Sequence, residues 1–396
     1  MQNRLSFTPH IFVQTVLLTT SRTFINTGWR MIYPLLPVFA RGVDVELTTL
    51  ASIIAVIQLF GLTAPFWGAI SERQGRRFTI LLGLSMYILG TTMVFIFPNF
   101  IGLSLAFLIM GVGKIAFDPA VQAYIGDRVP YERRGMYLGI VELAWSGGFL
   151  LVPVMTWLIA RYDWQAPFAA LAISSVLSLI VAWVILEADK PTQRQQISFV
   201  KALRVAVSSR MAIAGLVLGM GISAANQLIS VVFGSWIEVS FGIQLSALAA
   251  ASAVIGISEL IGEGVVTGFS DRFGKKNLII IGIVGNILAC FMLPFSNISL
   301  AFALAGLFFF YLTFELALVA TIPLATEIQP EARAMYLTVY VAAVTFGRAV
   351  FTPIAAQVFS LGLLANCLIA ALLNGIALIA IWRFIDVEAK KKKSLA

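Results

Sequence analysis

The sequence is poor in charge. Aspartate, glutamate, lysine and arginine make up 12% of its 396 residues, where a soluble domain carries about 25%. A chain with so few solvated side chains cannot cover a water-exposed surface, which excludes an ordinary soluble globular protein. It is also poor in metal and redox chemistry. His10 is the only histidine, and Cys290 and Cys367 are the only cysteines. Both thiols fall inside apolar runs, at none of the spacings of zinc sites or redox motifs. We read them as buried free thiols, and expect no metal and no cofactor. His10 opens the first apolar run and reads as an interfacial residue. There is no Walker-type phosphate loop, so the energy for any work must come from a gradient. No nucleophile–base set stands out, and an enzyme is not expected.

What is present is apolar: 60% of residues are hydrophobic and mean hydropathy is +0.94. A membrane-crossing helix needs about 20 apolar residues. The pattern predicts twelve spans, near 11–40, 48–70, 78–97, 101–124, 136–160, 166–186, 210–238, 246–269, 278–295, 299–325, 335–360 and 364–384. The first run is too long and too polar for a signal peptide and is expected to stay as a helix. The net charge of +8 suits either nucleic acid or a membrane surface, and its placement decides for the membrane. Arg73, Arg76 and Arg77, then Arg128, Arg133 and Arg134, then Lys190, Arg194, Lys201, Arg204 and Arg210 fall in alternate loops. Arg272, Lys275 and Lys276, then Arg333, then Arg383 and Lys390 to Lys393 continue the series, while the other loops hold only Arg41 and Arg161. Basic residues accumulate on the cytoplasmic side. A multi-pass protein of the cytoplasmic (inner) membrane with both termini inside is therefore expected.

One short stretch recurs. Gly68-Ala69-Ile70-Ser71-Glu72-Arg73-Gln74-Gly75-Arg76-Arg77 has a degenerate copy in Ser270-Asp271-Arg272-Phe273-Gly274-Lys275-Lys276, 199 residues later counted from Gly75 to Gly274. The loop from Asp127 to Tyr137 is echoed from Glu327 to Tyr336, with acid, Pro, Glu, Arg, Met and Tyr in the same order. Two such correspondences indicate an internal duplication. The charged turn resembles the loop signature of the major facilitator superfamily, with Glu72 where that family has Asp and Thr267 in place of the first Gly of the second copy. The resemblance implies an all-α membrane protein of twelve transmembrane helices in two pseudo-symmetric six-helix bundles. The expected divisions are an N-terminal bundle at 1–186, a cytoplasmic linker at 187–209 and a C-terminal bundle at 210–396. In the linker, Phe199, Val200, Leu203 and Val207 share one helical face, which suits an interfacial helix as well as a disordered segment.

Charges inside spans are costly, about 2.5–3.5 kcal/mol each on insertion scales. Here they are Arg22 and Arg30 in the first span, Lys114 and Asp118 in the fourth and Glu142 in the fifth. Glu259 and Glu263 in the eighth, Glu315 in the tenth and Arg348 in the eleventh complete the set. The third, sixth, ninth and twelfth spans hold none, and in the family those four lie outermost. Arg22, Asn26 and Arg30 follow at i, i+4 and i+8, on one helical face. Arg30, Asn26, Arg22 and Lys114 are the candidate substrate-binding residues. The alternative for the arginines is structural pairing with Glu315, Glu259 or Glu142, and Arg22 is expected to be mainly paired. Lys114 and Asp118 can pair at i, i+4. Glu259, Glu315, Glu142 and Asp118 are the candidates for proton coupling.

By resemblance, Gly68, Glu72, Arg73, Gly75, Arg76, Asp127, Asp271 and Arg272 form a conformational latch. In it, Arg73 pairs with Asp127 and Glu72 meets the helix start near Met335. The family's arginine of the fourth helix is replaced by Phe107, and the Gly-Pro pair of efflux antiporters is missing around Trp145-Ser146-Gly147-Gly148. Pro153 and Pro353 suggest matched kinks. The function expected is secondary active transport of a small solute by alternating access, as proton-coupled efflux. A proton-coupled importer of an organic anion or polar metabolite is the alternative, and a non-transporting sensor on a transporter scaffold is a reading from another class. The partners expected are a small-molecule substrate, protons and the lipid bilayer, not nucleic acid, with the chain a monomer.

Overall fold

The structure is a computed structural model that describes residues 9–187, 203–204, 207–242, 244–329 and 332–385. The linker expected at 187–209 and its interfacial helix lie almost wholly outside them, as do the basic tail and the side chains of His10 and Asp271. Everything described is helix or short connection. The first half comprises α1 (Pro9–Arg30), α2 (Ile32–Gly42), α3 (Leu47–Phe60), α4 (Ala64–Gln74), α5 (Arg76–Ile96) and α6 (Phe100–Arg128), then α7 (Tyr131–Leu150), α8 (Val152–Arg161) and α9 (Ala166–Ile185). The second comprises α10 (Arg210–Ser230), α11 (Phe233–Phe241), α12 (Leu245–Phe273), α13 (Lys275–Met292), α14 (Leu300–Ile328), α15 (Arg333–Val358) and α16 (Leu363–Phe384). Counted in sequence across short breaks, with α1–α2, α3–α4, α7–α8 and α10–α11 each taken together, the described helices make twelve segments.

Ten of these are long and apolar enough to cross a membrane, and α3–α4, bent by 49° at its break, makes an eleventh when counted as one span. The segment α1–α2 is not among them, since Gln14, Arg22, Asn26 and Arg30 lower its hydropathy. Pro153 follows a break at Leu151, whereas α15 runs through Pro353 unbroken. The two prolines are therefore not matched breaks. At the first turn of α8 a proline loses no hydrogen bond, while in a helix interior it removes one.

Local chemistry explains the shared boundaries. Asn99 caps α6 by accepting from the N–H groups of Ile101 and Gly102, and Ser299 caps α14 by accepting from Phe302. Short polar side chains there satisfy donors that have no partner inside the helix. Gly75 (φ 103°) and Gly274 (φ 79°) join α4 to α5 and α12 to α13. A side chain at positive φ is strained, so each sharp turn needs glycine.

Contacts group the chain into two compact units. Unit 1 holds residues 1–30, 63–151 and 165–194, and unit 2 holds 31–62, 152–164 and 195–396. In unit 1, α5 packs on α6 and α9, and α1 packs on α7 and α9. In unit 2, α13 packs on α14 and α16, and α10 packs on α15 and α16. These are the same four pairings in repeat order. Close approach is built on small residues. A Cβ on Gly83 would lie 2.8 Å from the Gly113 carbonyl oxygen, and one on Gly282 would lie 2.6 Å from the Ala317 nitrogen. In unit 2, α2 packs on α11, α3 on α15 and α8 on α12. Arg41 and Glu238 tie the first of these contacts by two hydrogen bonds of 2.7 and 2.9 Å. Helices α5, α9, α13 and α16 expose large apolar side chains, among them Leu89, Ile173, Ile281 and Leu372.

Candidate functional site

The intramembrane charges of the first half meet where α1, α6 and α7 pack. Helix α1 places Arg22, Asn26 and Arg30 one turn apart on a buried face, with relative exposures of 4%, 0% and 7%. The Arg22 guanidinium takes two carboxylates. Its Nε lies 3.2 Å from Asp118 Oδ1 on α6, and its Nη1 lies 2.9 Å from Glu142 Oε1 on α7. Nη1 also donates to the Val141 carbonyl at 3.0 Å. Asp118 Oδ2 is held by Lys114 Nζ at 2.6 Å, and Lys114 also donates to Asn26 Oδ1. The Asn26 amide donates to the Ala144 carbonyl at 2.9 Å. Gln122 Nε2 donates to Glu142 Oε1 at 2.8 Å. Arg22, Lys114, Asp118 and Glu142 thus form a set of two cations and two anions. Burial of such charges is offset only when each is paired and hydrogen-bonded.

Arg30 lies one turn beyond Asn26. Its guanidinium carbon stands 3.9 Å from the centroid of a Trp145 ring and 4.4 Å from that of Phe149. Lys114 Nζ stands 5.4 Å from the same Trp145 ring. A cation over an aromatic face is attracted by its quadrupole, by about 2 kcal/mol when desolvated. Gly148 permits this closeness, since a Cβ there would lie 2.9 Å from Asn26 Cβ and 3.2 Å from Arg30 Cγ.

The structure therefore brings together Arg30, Asn26, Arg22 and Lys114 with Asp118 and Glu142. Of the three carboxylates proposed for Arg22, Glu142 is one partner, and Asp118 is a second that the spacing had assigned to Lys114 alone. Glu259 and Glu315 belong to unit 2, both buried, with Glu315 packed on Gly262. Trp145 and Gln122 were missed as site residues. The signal was there for Trp145, which follows Glu142 by one helical turn.

The turn residues are arranged differently from expectation. Arg73 is exposed, and the ion pair with Asp127 comes from Arg76, whose Nε lies 3.3 Å from Asp127 Oδ2. Arg76 is the first residue of α5, and α5 packs closely along α6, which ends at Arg128. Arg73 closes α4 and points to solvent. Arg76 also donates to Ser71 Oγ at 3.1 Å, and Arg77 donates to the Trp183 carbonyl at the end of α9. The second turn repeats this. Lys275 Nζ lies 2.5 Å from Glu327 Oε1, and Lys276 donates to the Ile385 carbonyl at 2.6 Å. The residue after each glycine thus staples the end of the neighbouring helix, and the next one caps the last helix of the same half. Arg272, like Arg73, is exposed, and Glu72 is half-buried. Gly68 has open space around it. Among the described residues no group of three or more His, Cys, Asp or Glu could hold a metal ion.

Buried charge networks inside a repeated bundle of apolar rods suit a carrier rather than an enzyme, and comparison with known proteins agrees. The sequence pattern of the Major Facilitator Superfamily matches residues 18–327 and 225–396. The chain belongs to the major facilitator superfamily. It is a multi-pass membrane protein and a secondary transporter, and the family is one of transporters, not enzymes. Multidrug resistance protein 2 of Bacillus subtilis (strain 168) is 26% identical over 310 residues, 73% of this chain and 74% of its own length. The class C tetracycline resistance protein of Escherichia coli is 27% identical over 300 residues, 68% and 70% of the two chains. Among solved structures, a bacterial homolog of the human lysosomal transporter Spinster superposes with a TM-score of 0.75 at 14% identity. It covers 95% of this chain and 98% of its own, a likeness of fold.

Proposed function

We propose that this superfamily member exports a small amphipathic solute across the cytoplasmic membrane in exchange for protons. The observation that carries the reading is the network of Arg22, Lys114, Asp118 and Glu142 beside the aromatic faces of Trp145 and Phe149. Charges kept within a bilayer mark substrate and ion pathways. The aromatic faces supply a flat apolar surface on which an amphipathic solute can stack. Two relatives are named for resistance to drugs, which supports export. One carboxylate among Glu142, Asp118, Glu259 and Glu315 takes the exchanged proton. The charged turns around Gly75 and Gly274 serve the conformational cycle rather than substrate binding, and Glu72 is the turn's switching contact. The chain works as a monomer with both termini in the cytoplasm, as the basic residues favour.

The test is expression in a cell lacking its own exporters, with everted vesicles prepared from it. Ethidium and tetracycline are the probes. Accumulation driven by a pH gradient, abolished when the gradient is collapsed, is the expected result. Accumulation of neither probe in everted vesicles, with gradient-driven uptake of an organic anion into intact cells, would favour a second reading. That reading is an importer of anions, and Arg30 and Lys114 over one Trp145 ring are the observation for it. Alkaline phosphatase fused after Ala396 should be inactive, and an active fusion would overturn the orientation.

A further inference from the structure

We propose that Glu142 is the residue of unit 1 that takes up the coupling proton, and that Gln122 positions it. The inference rests on the transport reading above and names the side chain that performs its proton step. The two carboxylates of the network are held in different ways. Asp118 has a cation on each oxygen, Arg22 on Oδ1 at 3.2 Å and Lys114 on Oδ2 at 2.6 Å, and its side chain is 21% exposed. A proton arriving there meets an oxygen already held by a cation. Glu142 receives both its donors on one oxygen, Arg22 Nη1 at 2.9 Å and Gln122 Nε2 at 2.8 Å, both on Oε1. Its side chain is 46% exposed. Oε2 takes part in neither bond and can accept a proton while both remain.

The helices packed most extensively against α7, among the described residues, are α1 and α6. The charged groups on their facing sides are Arg22 and Arg30 from α1, and Lys114 and Asp118 from α6. No other ionised carboxylate of these two helices competes for Arg22 among the described residues. The step balances simply. Water delivers a proton, an O–H bond forms at Oε2, one negative charge disappears and no covalent bond breaks. Its consequence is mechanical. The Arg22–Glu142 pair joins α1 to α7, and the Arg22–Asp118 pair joins α1 to α6. Neutralising Glu142 weakens the first tie and leaves Asp118 as the one anion shared by Arg22 and Lys114. Proton binding is thereby converted into a changed preference of α1 between its two neighbours. Gln122 keeps Oε1 turned towards Arg22 and so leaves Oε2 for the proton.

The experiment needs no substrate, so it fails or succeeds independently of the export assay. Full-length protein in lipid nanodiscs carries spin labels at exposed Phe78 and Phe273, one in each unit. Double electron–electron resonance follows their distance distribution from acid to mildly alkaline pH. The wild type should shift with one midpoint. Glu142→Gln should hold the acid-limit distribution at every pH, and Glu142→Asp should restore the response, which also shows that the site tolerates substitution. Gln122→Leu should keep the response and displace its midpoint, which a purely structural residue would not do. A pH response that persists in Glu142→Gln, or that is absent from the wild type, overturns the proposal.

Discussion

Asp118 is the member of the network whose loss should be felt most. Asp118→Asn keeps the shape and removes the charge that both Arg22 and Lys114 face. Stranding a partner of a fully buried ion pair costs about 3–5 kcal/mol. The side chains here are 5% exposed for Arg22, 12% for Lys114 and 21% for Asp118, so the site is nearly but not wholly dry. Arg22 keeps Glu142, and Lys114 keeps Asn26, which places the expected loss near the lower bound, about 3 kcal/mol. Lys114→Met leaves Asp118 with Arg22 and should cost about 2 kcal/mol, the range of a hydrogen bond to a charged group. The double variant removes the cation that the first change stranded. It should cost little more than Asp118→Asn alone, a coupling of about 2 kcal/mol. The assay is equilibrium unfolding of purified protein in mixed micelles, for the wild type, each single variant and the double. Single effects that add to within about 0.5 kcal/mol, as independent sites do, would refute the pairing.

Other substitutions test the rest of the frame. Gly75→Ala and Gly274→Ala place a Cβ at positive φ and should each cost about 1–2 kcal/mol, read as a lowered melting temperature; an unchanged value would show that the turns relax freely. Arg76→Ala should destabilise by about 1–3 kcal/mol through loss of its bonds to Asp127 and Ser71, while exposed Arg73→Ala stays within about 0.5 kcal/mol. Equal effects would contradict the staple. Arg41→Gln and Glu238→Gln should each weaken the α2–α11 tie, and Glu238→Gln should harm less once Arg41 is already Gln. A melting-temperature cycle with no such coupling would discount the pair. Gly148→Val should overpack the α1–α7 contact by about 1–3 kcal/mol, with quenching of Trp145 fluorescence altered; unaltered stability would mean that α1 and α7 sit further apart.

Much of this molecule was legible from the order of its residues. Most span positions follow from hydropathy, because a bilayer asks a crossing segment for a run of apolar side chains, and α1–α2, with its buried polar face, is the exception. The break points follow from Asn99, Ser299, Gly75 and Gly274, whose effects act within a turn of the chain. The duplication follows from two loops whose chemistry recurs in order, and the four helix pairings that recur in each half agree with it. Arg22, Asn26 and Arg30 share a face by helical period alone, and Lys114 reaches Asp118 for the same reason. What remained was the choice of partner across helices. Arg76 rather than Arg73 meets Asp127, Arg22 divides itself between Asp118 and Glu142, and Glu238, unremarked in its apolar run, holds Arg41. Such choices depend on how far each helix is rotated and how closely small residues such as Gly83 and Gly148 let neighbours approach. A local pattern sets which face of a helix carries charge, and only the packed bundle sets what that face meets.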